Sequence, residues 1–357
     1  MRRVRGMKAA TLLLAGSLAL AACASDEPQA GGSGSGGGGS SSDELKIGLA
    51  FDTGGRGDKS FNDSAYAGVE AAVETLGGTM ADNVQTLSPN DDASNRGELL
   101  TQLAEQGYDP IIAVGFNYDE IIADVAPDFP DTTFAQVDGS NADGAKGDNV
   151  TGLLFAEEQG SFLAGVAAAS KTETDRIGFV GGVQSPLIEK FQAGYVAGAK
   201  AVKPGITVDV SYLSPAGDFS GFGAPDRGYS VAQGFYQNGA DIVFHAAGGS
   251  GEGVFQAAVE AGKRAIGVDS DQYQTAPADQ QAVIMTSMLK RVDNAVEEFI
   301  TSFSEGSVEG GTDVTYDLES DGVGLSESGG YIADIKTTID DYRQQIIDGK
   351  VTVPTTP

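Results

Sequence analysis

The 357-residue chain has one cysteine, one histidine and no tryptophan, and its 51 acidic residues far outnumber its 22 basic ones. Each shortage removes a class of chemistry. With Cys23 alone, neither a disulfide framework nor a cysteine-ligated zinc site can form within the chain. His245, the single histidine, leaves any transition-metal site to be built mostly from carboxylates. The formal charge of -29 makes a poor surface for nucleic acid and repels free polyphosphates. Beyond the N-terminus no apolar run approaches bilayer-spanning length. We therefore expect no metal, no cofactor and no nucleic-acid partner. A neutral or cationic small molecule is the ligand this charge balance accommodates most easily.

The N-terminus is organised differently. Arg2, Arg3, Arg5 and Lys8 precede an apolar run from Ala9 to Ala22, a basic segment and an apolar segment of signal-peptide length. Small residues lead directly into Cys23, as in the lipobox of bacterial lipoproteins, so 1–22 reads as a signal peptide and Cys23 as the lipidated residue. Residues 23–42 hold no group whose burial would repay ordering and read as a flexible Gly/Ser tether. A lipid anchor on the outer face of a cell membrane, with no further membrane entry, is the localisation this implies.

About 315 residues follow, more than a single hydrophobic core usually serves, so two lobes are expected. The pattern alternates short strands with helices, and strands such as 110–115 are apolar at consecutive positions, as a parallel sheet covered on both faces requires. One series of elements runs over 43–154 and a second of similar size over 155–265. The fold class is α/β, with parallel-sheet cores. We expect the first lobe also to receive about 266–310 and the second about 311–350, leaving 351–357 as a tail. Within these, 290–303 reads as an amphipathic helix and 312–318 and 323–325 as edge strands.

Two glycine-rich loops invite catalytic readings that their residues do not support. In the loop 52–60 Asp58 stands before Lys59-Ser60, where a phosphate-binding loop has glycine, and a carboxylate there opposes a phosphate. In 246–253 Glu252 occupies the second glycine position of a nucleophile elbow. Glycines that admit a ligand to the backbone, with Ser250 capping the next helix, are the expected reading. Asp52 and Asp269 instead place carboxylates at the carboxyl ends of apolar strands, where open α/β sheets bind ligands. Asp269 suits a vicinal diol or a cation. Phe61, beside Asn62 and Asp63, is either core or a flat surface for a planar heterocycle, with Phe222 a second loop aromatic.

Five segments together resemble the basic membrane lipoprotein family, purine-nucleoside-binding lipoproteins that feed ABC importers. They are Phe51-Asp52 with Gly54-Gly55, the run DKSFNDS from Asp58, Gly115-Phe116, the run HAAGGSG from His245, and the run IGVDSDQ from Ile266. The resemblance implies a type I periplasmic-binding-protein-like fold with a hinged cleft, and a binder rather than an enzyme. It implies that Phe61 and Phe222 sandwich a purine, and that Asp52 and Asn62 hydrogen-bond its edge. Asp269 would take the ribose hydroxyls, with Gly248 and Gly249 near the sugar, Lys290 reaching in from the late helix, and Asp138, Gly115 and Phe116 contributing. The implied partners are a nucleoside such as inosine, adenosine or guanosine, and ABC permease subunits, with the protein itself a monomer. A receptor for a sugar, polyol or amino-acid derivative, a nucleoside hydrolase, and a surface adhesin remain open alternatives.

Overall fold

The computed structural model describes residues 45–90 and 93–357; the expected signal peptide, Cys23 and the tether lie outside the described residues. The first series runs β1 (Ile47–Ala50), α1 (Phe61–Thr75), the single turn α2 (Met80–Asn83), β2 (Val84–Leu87), α3 (Arg96–Glu105) and β3 (Ile111–Val114). It continues with α4 (Asp119–Val125), β4 (Phe134–Val137) and β5 (Val150–Phe155). The second begins with α5 (Glu157–Lys171), β6 (Arg176–Val183), α6 (Pro186–Val202), β7 (Thr207–Ser214) and α7 (Pro225–Gln237). After these come β8 (Ile242–Ala246), α8 (Gly251–Ala261), β9 (Arg264–Asp269), the turns α9 (Gln272–Thr275) and α10 (Ala278–Gln281), and β10 (Ile284–Lys290). The chain ends with α11 (Val292–Ser304), β11 (Thr312–Tyr316), β12 (Val323–Leu325) and α12 (Lys336–Ile347).

The strands form two six-stranded sheets, ordered β11-β5-β4-β3-β1-β2 and β12-β10-β9-β8-β6-β7. Every pairing is parallel except β10 with β12. Apart from the direction of the edge strand, parallel for β11 and antiparallel for β12, the two orders match, so β4 corresponds to β9 and β3 to β8. Both sheets carry helices on their faces, which explains why β1, β3, β4 and β8 are buried at every position. The fold is thus two α/β lobes with parallel-sheet cores.

The chain crosses between the sheets after β5, between β10 and β11, and between β11 and β12. The late segments divide differently from the expectation. β9 and β10 belong to the second sheet, and of 266–310 it is α11 that packs on α1 of the first lobe. Conversely β11 completes the first sheet, whereas β12 lies in the second. Lys290 ends strand β10 instead of starting a helix. Ile284 to Met288 continue a buried parallel strand beside β9, and the helical pattern begins only at Val292.

Small residues let α5 and α6 approach to backbone contact. A Cβ on Gly165 would stand 2.1 Å from the Tyr195 carbonyl oxygen, and one on Gly198 would stand 1.9 Å from that of Phe162. This close pair anchors Glu157, the first residue of α5, immediately after the first crossing.

Candidate functional site

The carboxyl ends of β1, β4, β8 and β9 converge on one cavity with about 560 Å³ of empty space, including its mouth. Its wall contains Asp52, Phe61, Asn62, Phe116, Asp138, Phe222, Gly248, Gly249, Asp269 and Lys290. Of the eleven residues expected to bind ligand, only Gly115 is not at the wall. It stands behind Asp52, with φ +109 and Asp52 Oδ2 2.5 Å from where a Cβ would be. Only glycine tolerates both the conformation and the approach. Thr53, Asp58, Leu187, Ile188, Phe191, Ala246 and Val268 complete the lining.

On the first-lobe side the polar groups are tied to one another. Asp52 Oδ1 accepts from the Thr53 amide at 2.7 Å and from Arg96 Nη2 at 2.6 Å. Asn117 Nδ2 donates to both oxygens, at 3.1 and 2.8 Å. Arg96 projects from α3 and is 6% exposed, so this ion pair is buried. Neither Arg96 nor Asn117 was singled out from sequence. A buried arginine on an otherwise amphipathic helix carries no local signal of its partner.

Phe61 opens α1, and its helix is capped by Asp58, whose Oδ1 accepts from the amides of Ser60 and Asp63. Phe222 ends a short 3-10 turn, Phe219–Phe222, in the second lobe. Ser250 holds that turn: its hydroxyl donates to the Gly221 carbonyl and accepts from the Ala224 amide, both at 2.7 Å. Ser250 makes no side-chain cap to α8, contrary to the expectation, because its hydroxyl is committed to this loop. The same commitment leaves no Ser250-to-His245 hydrogen bond. His245 is buried and kept neutral, its pKa pushed down to about 3 chiefly by burial. Phe116 and Phe219 meet edge-on across the lobes, with ring centroids 5.8 Å apart. Phe219 was also missed.

Around Lys290 the cavity wall is dense in charge. Lys290 Nζ lies 2.6 Å from Asp138 and 3.0 Å from Glu157, and all three side chains are buried. The ammonium also lies 5.2 Å from the Phe61 ring centroid and 5.0 Å from that of Phe155, a partial aromatic cage. Asp269 Oδ2 accepts from Ser60 Oγ at 2.5 Å. Lys290 thus pairs with Asp138 and Glu157 and acts on Asp269 only through its field, while Glu157 also meets Lys190 Nζ at 3.3 Å. Burial raises the Asp138 pKa to about 7, against the lowering effect of Lys290, and raises that of Asp269 to about 6. Lys290 stays charged, its three acidic neighbours together outweighing burial. Glu157 was not identified from sequence, since a first-turn glutamate usually serves only the helix dipole.

Asp138 and Asp269 occupy equivalent strand ends, and both have φ +65. Left-handed backbone at non-glycine residues is uncommon and concentrates at functional sites. The two motif-bearing loops also interlock: the Lys59 carbonyl accepts from Ser270 Oγ at 2.8 Å and Gln272 Nε2 at 3.2 Å. Among the described residues no group of three or more His, Cys, Asp or Glu side chains is arranged to hold a metal, and no helix is long and apolar enough to cross a membrane.

Two parallel α/β lobes closed over a cavity at their strand ends define a solute-binding protein. Residues 45–356 match the family model described as Bmp, ABC transporter substrate-binding protein PnrA-like, and the chain belongs to that family. It is 37% identical to the CD4+ T-cell-stimulating antigen of Listeria monocytogenes, over 98% of each chain. It is 36% identical to the ABC transporter nucleoside-binding protein BmpA of Lactococcus lactis, over 87% of this chain and 89% of that one. Among solved structures, an ABC transporter system solute-binding protein from Aeropyrum pernix is similar at a TM-score of 0.73 and 27% identity. That match covers 87% of this chain and 93% of the other.

Proposed function

We propose that the protein binds a purine nucleoside such as inosine, adenosine or guanosine between its lobes and delivers it to an ABC permease. The observation that carries this reading is the composition of the cavity. Two phenylalanines from opposite lobes, Phe61 at the start of α1 and Phe222 at the end of a 3-10 turn, share its wall with the strand-end carboxylates Asp138 and Asp269. The rings supply apolar burial for a flat base, and Asp52 and Asn62 lie at the wall to meet its edge. Asp269 and Asp138 accept hydrogen bonds from ribose hydroxyls, and Lys290 donates one. Gly248 and Gly249 admit the sugar close to the backbone, and Phe116 closes the rim.

The excess of carboxylate over ammonium at the sugar end disfavours a 5′-phosphate by charge and favours hydroxyl donors. A ligand that bridges the lobes stabilises the closed form in proportion to its differential affinity for it. The protein acts as a monomer, held by lipid on Cys23 at the outer face of the cell membrane. It binds without cleaving: the Ser250 hydroxyl is spent on the loop, and Asp52 is held by Arg96 and Asn117.

Isothermal titration with inosine, adenosine, guanosine and cytidine tests this reading. One-to-one heat with the purine nucleosides is expected. Absence of heat with every nucleoside would refute it, and release of free base during prolonged incubation would replace it with a hydrolase.

A further inference from the structure

Asp58 lies at the cavity wall beside Asn62 but is neither one of the two phenylalanines nor a strand-end carboxylate. Its Oδ2 accepts from the Asn62 amide at 2.8 Å and from the Asn62 side-chain Nδ2 at 3.0 Å. On the other side, Asn62 Oδ1 accepts from the Asp52 backbone N–H at 2.9 Å. An ionised carboxylate has no proton to give, and a backbone N–H has no lone pair to offer. The Asn62 amide is therefore held in one orientation, oxygen toward Asp52 N and nitrogen toward Asp58. Turned over, it would set NH₂ against N–H and oxygen against carboxylate, leaving both contacts repulsive.

One hydrogen on Asn62 Nδ2 remains uncommitted by these bonds. The Asp52 carboxylate lines the same cavity, and its Oδ2, which accepts from Asn117, has lone-pair capacity left. We infer that Asp58 is a positioning residue that fixes the Asn62 amide, so that the cleft presents one donor beside one acceptor and selects bases with an N–H next to an acceptor. This rests on the nucleoside reading above and specifies which edge of the base is recognised. Inosine and guanosine offer N1–H and O6; adenosine offers its amino hydrogen and a ring nitrogen. Purine riboside has hydrogen at C6 and no hydrogen at N1, so it offers acceptors only and leaves Asp52 unmatched.

The test compares inosine with purine riboside, on the wild-type protein and on Asp58→Asn. Asparagine keeps an oxygen for the amides at the start of α1 and caps a helix as well as aspartate does, so the fold is retained. Its NH₂ then stands where Oδ2 stood, facing the Asn62 N–H groups. The wild-type protein should bind inosine at least about tenfold more tightly than purine riboside, a loss of about 1.4 kcal/mol. The variant should bring the two affinities to within about threefold, with its melting temperature within about 3 °C of wild type. A merely structural role would move both ligands in parallel or neither, and either result overturns the inference. Equal wild-type binding of the two ligands overturns it without any variant. A wild-type protein that binds no nucleoside removes the functional reading and this inference together.

Discussion

Asp138 directly follows β4 and Asp269 ends β9, corresponding strands of two sheets with the same strand order, and the two residues share the same left-handed backbone conformation. Yet each is held by the opposite lobe in a different way. Asp138 is fastened to Lys290, a charge–charge contact enclosed by protein. Asp269 is held by a single hydroxyl, that of Ser60. The duplicated strand order thus supplies two equivalent reaching points, and local chemistry makes one a fixed strut and the other an exchangeable contact. A ribose can take over Asp269 at the loss of one neutral donor, whereas displacing Lys290 from Asp138 would strand buried charges.

Breaking the strut should have the largest effect. Lys290→Met leaves Asp138 buried without its cation and Glu157 with Lys190 alone, and should lower unfolding stability by about 3–5 kcal/mol. Chemical denaturation measures this, and adding Asp138→Asn to the variant should recover part of the loss. A loss below about 1 kcal/mol would show that the cluster is hydrated and not a strut.

The aromatic wall comes next. Phe61→Ala and Phe222→Ala should each weaken inosine binding by about 1–3 kcal/mol, read by calorimetry. An unchanged affinity would return that ring to the core. If only Phe61→Ala has an effect, the base is stacked on one face alone.

The dependence on pH is smaller and distinguishes the empty from the filled cleft. Burial raises Asp138 to about 7 and Asp269 to about 6, from an ordinary value of 3.8. A raised acid binds protons in the folded state that the unfolded chain has already lost. Its stabilising contribution is full below 3.8 and is lost as pH rises through about 6 for Asp269 and about 7 for Asp138. In the proposed complex ribose hydroxyls would donate to the ionised oxygens, so a nucleoside would favour the deprotonated form. Affinity for inosine should therefore rise by several-fold between about pH 5 and about pH 8, with protons released on binding. Calorimetry in buffers of different ionisation enthalpy detects that release; proton uptake would reverse the assignment.

The exchangeable contact can be broken on its own. Ser60→Ala removes one hydrogen bond to a buried carboxylate and should cost the empty protein about 1–2 kcal/mol of stability. Saturating inosine should narrow the difference between variant and wild type, because the ribose supplies the missing donors. A difference that ligand does not narrow would place the sugar away from Asp269.

The paired α/β series and the strand-end position of Asp269 were legible in the sequence because both rest on local pattern: consecutive apolar residues, then a polar one. The site residues named from the resemblance fell at one cavity, apart from Gly115, which supports Asp52 from behind. Local pattern failed where partners are distant in sequence. Arg96 reaches Asp52 across 44 residues and Lys290 reaches Asp138 across 152, so neither pairing has a signature in spacing. The helix expected from Lys290 shows the same limit. The helix α11 starts two residues later than its apolar periodicity suggests, because β10 ends in a charge that only its buried partners explain.

The central claim is that an uncharged nucleoside lies between the lobes, its base stacked on Phe61 and Phe222 and its ribose on Asp269. A crystal structure of the protein with inosine tests this most directly. The account predicts the hypoxanthine ring between those two phenylalanines, a ribose hydroxyl in place of Ser60 within about 3 Å of Asp269, and Lys290 still bound to Asp138. Inosine bound elsewhere, or in the cleft with its base turned toward Lys290 and its ribose toward Asp52, would contradict it.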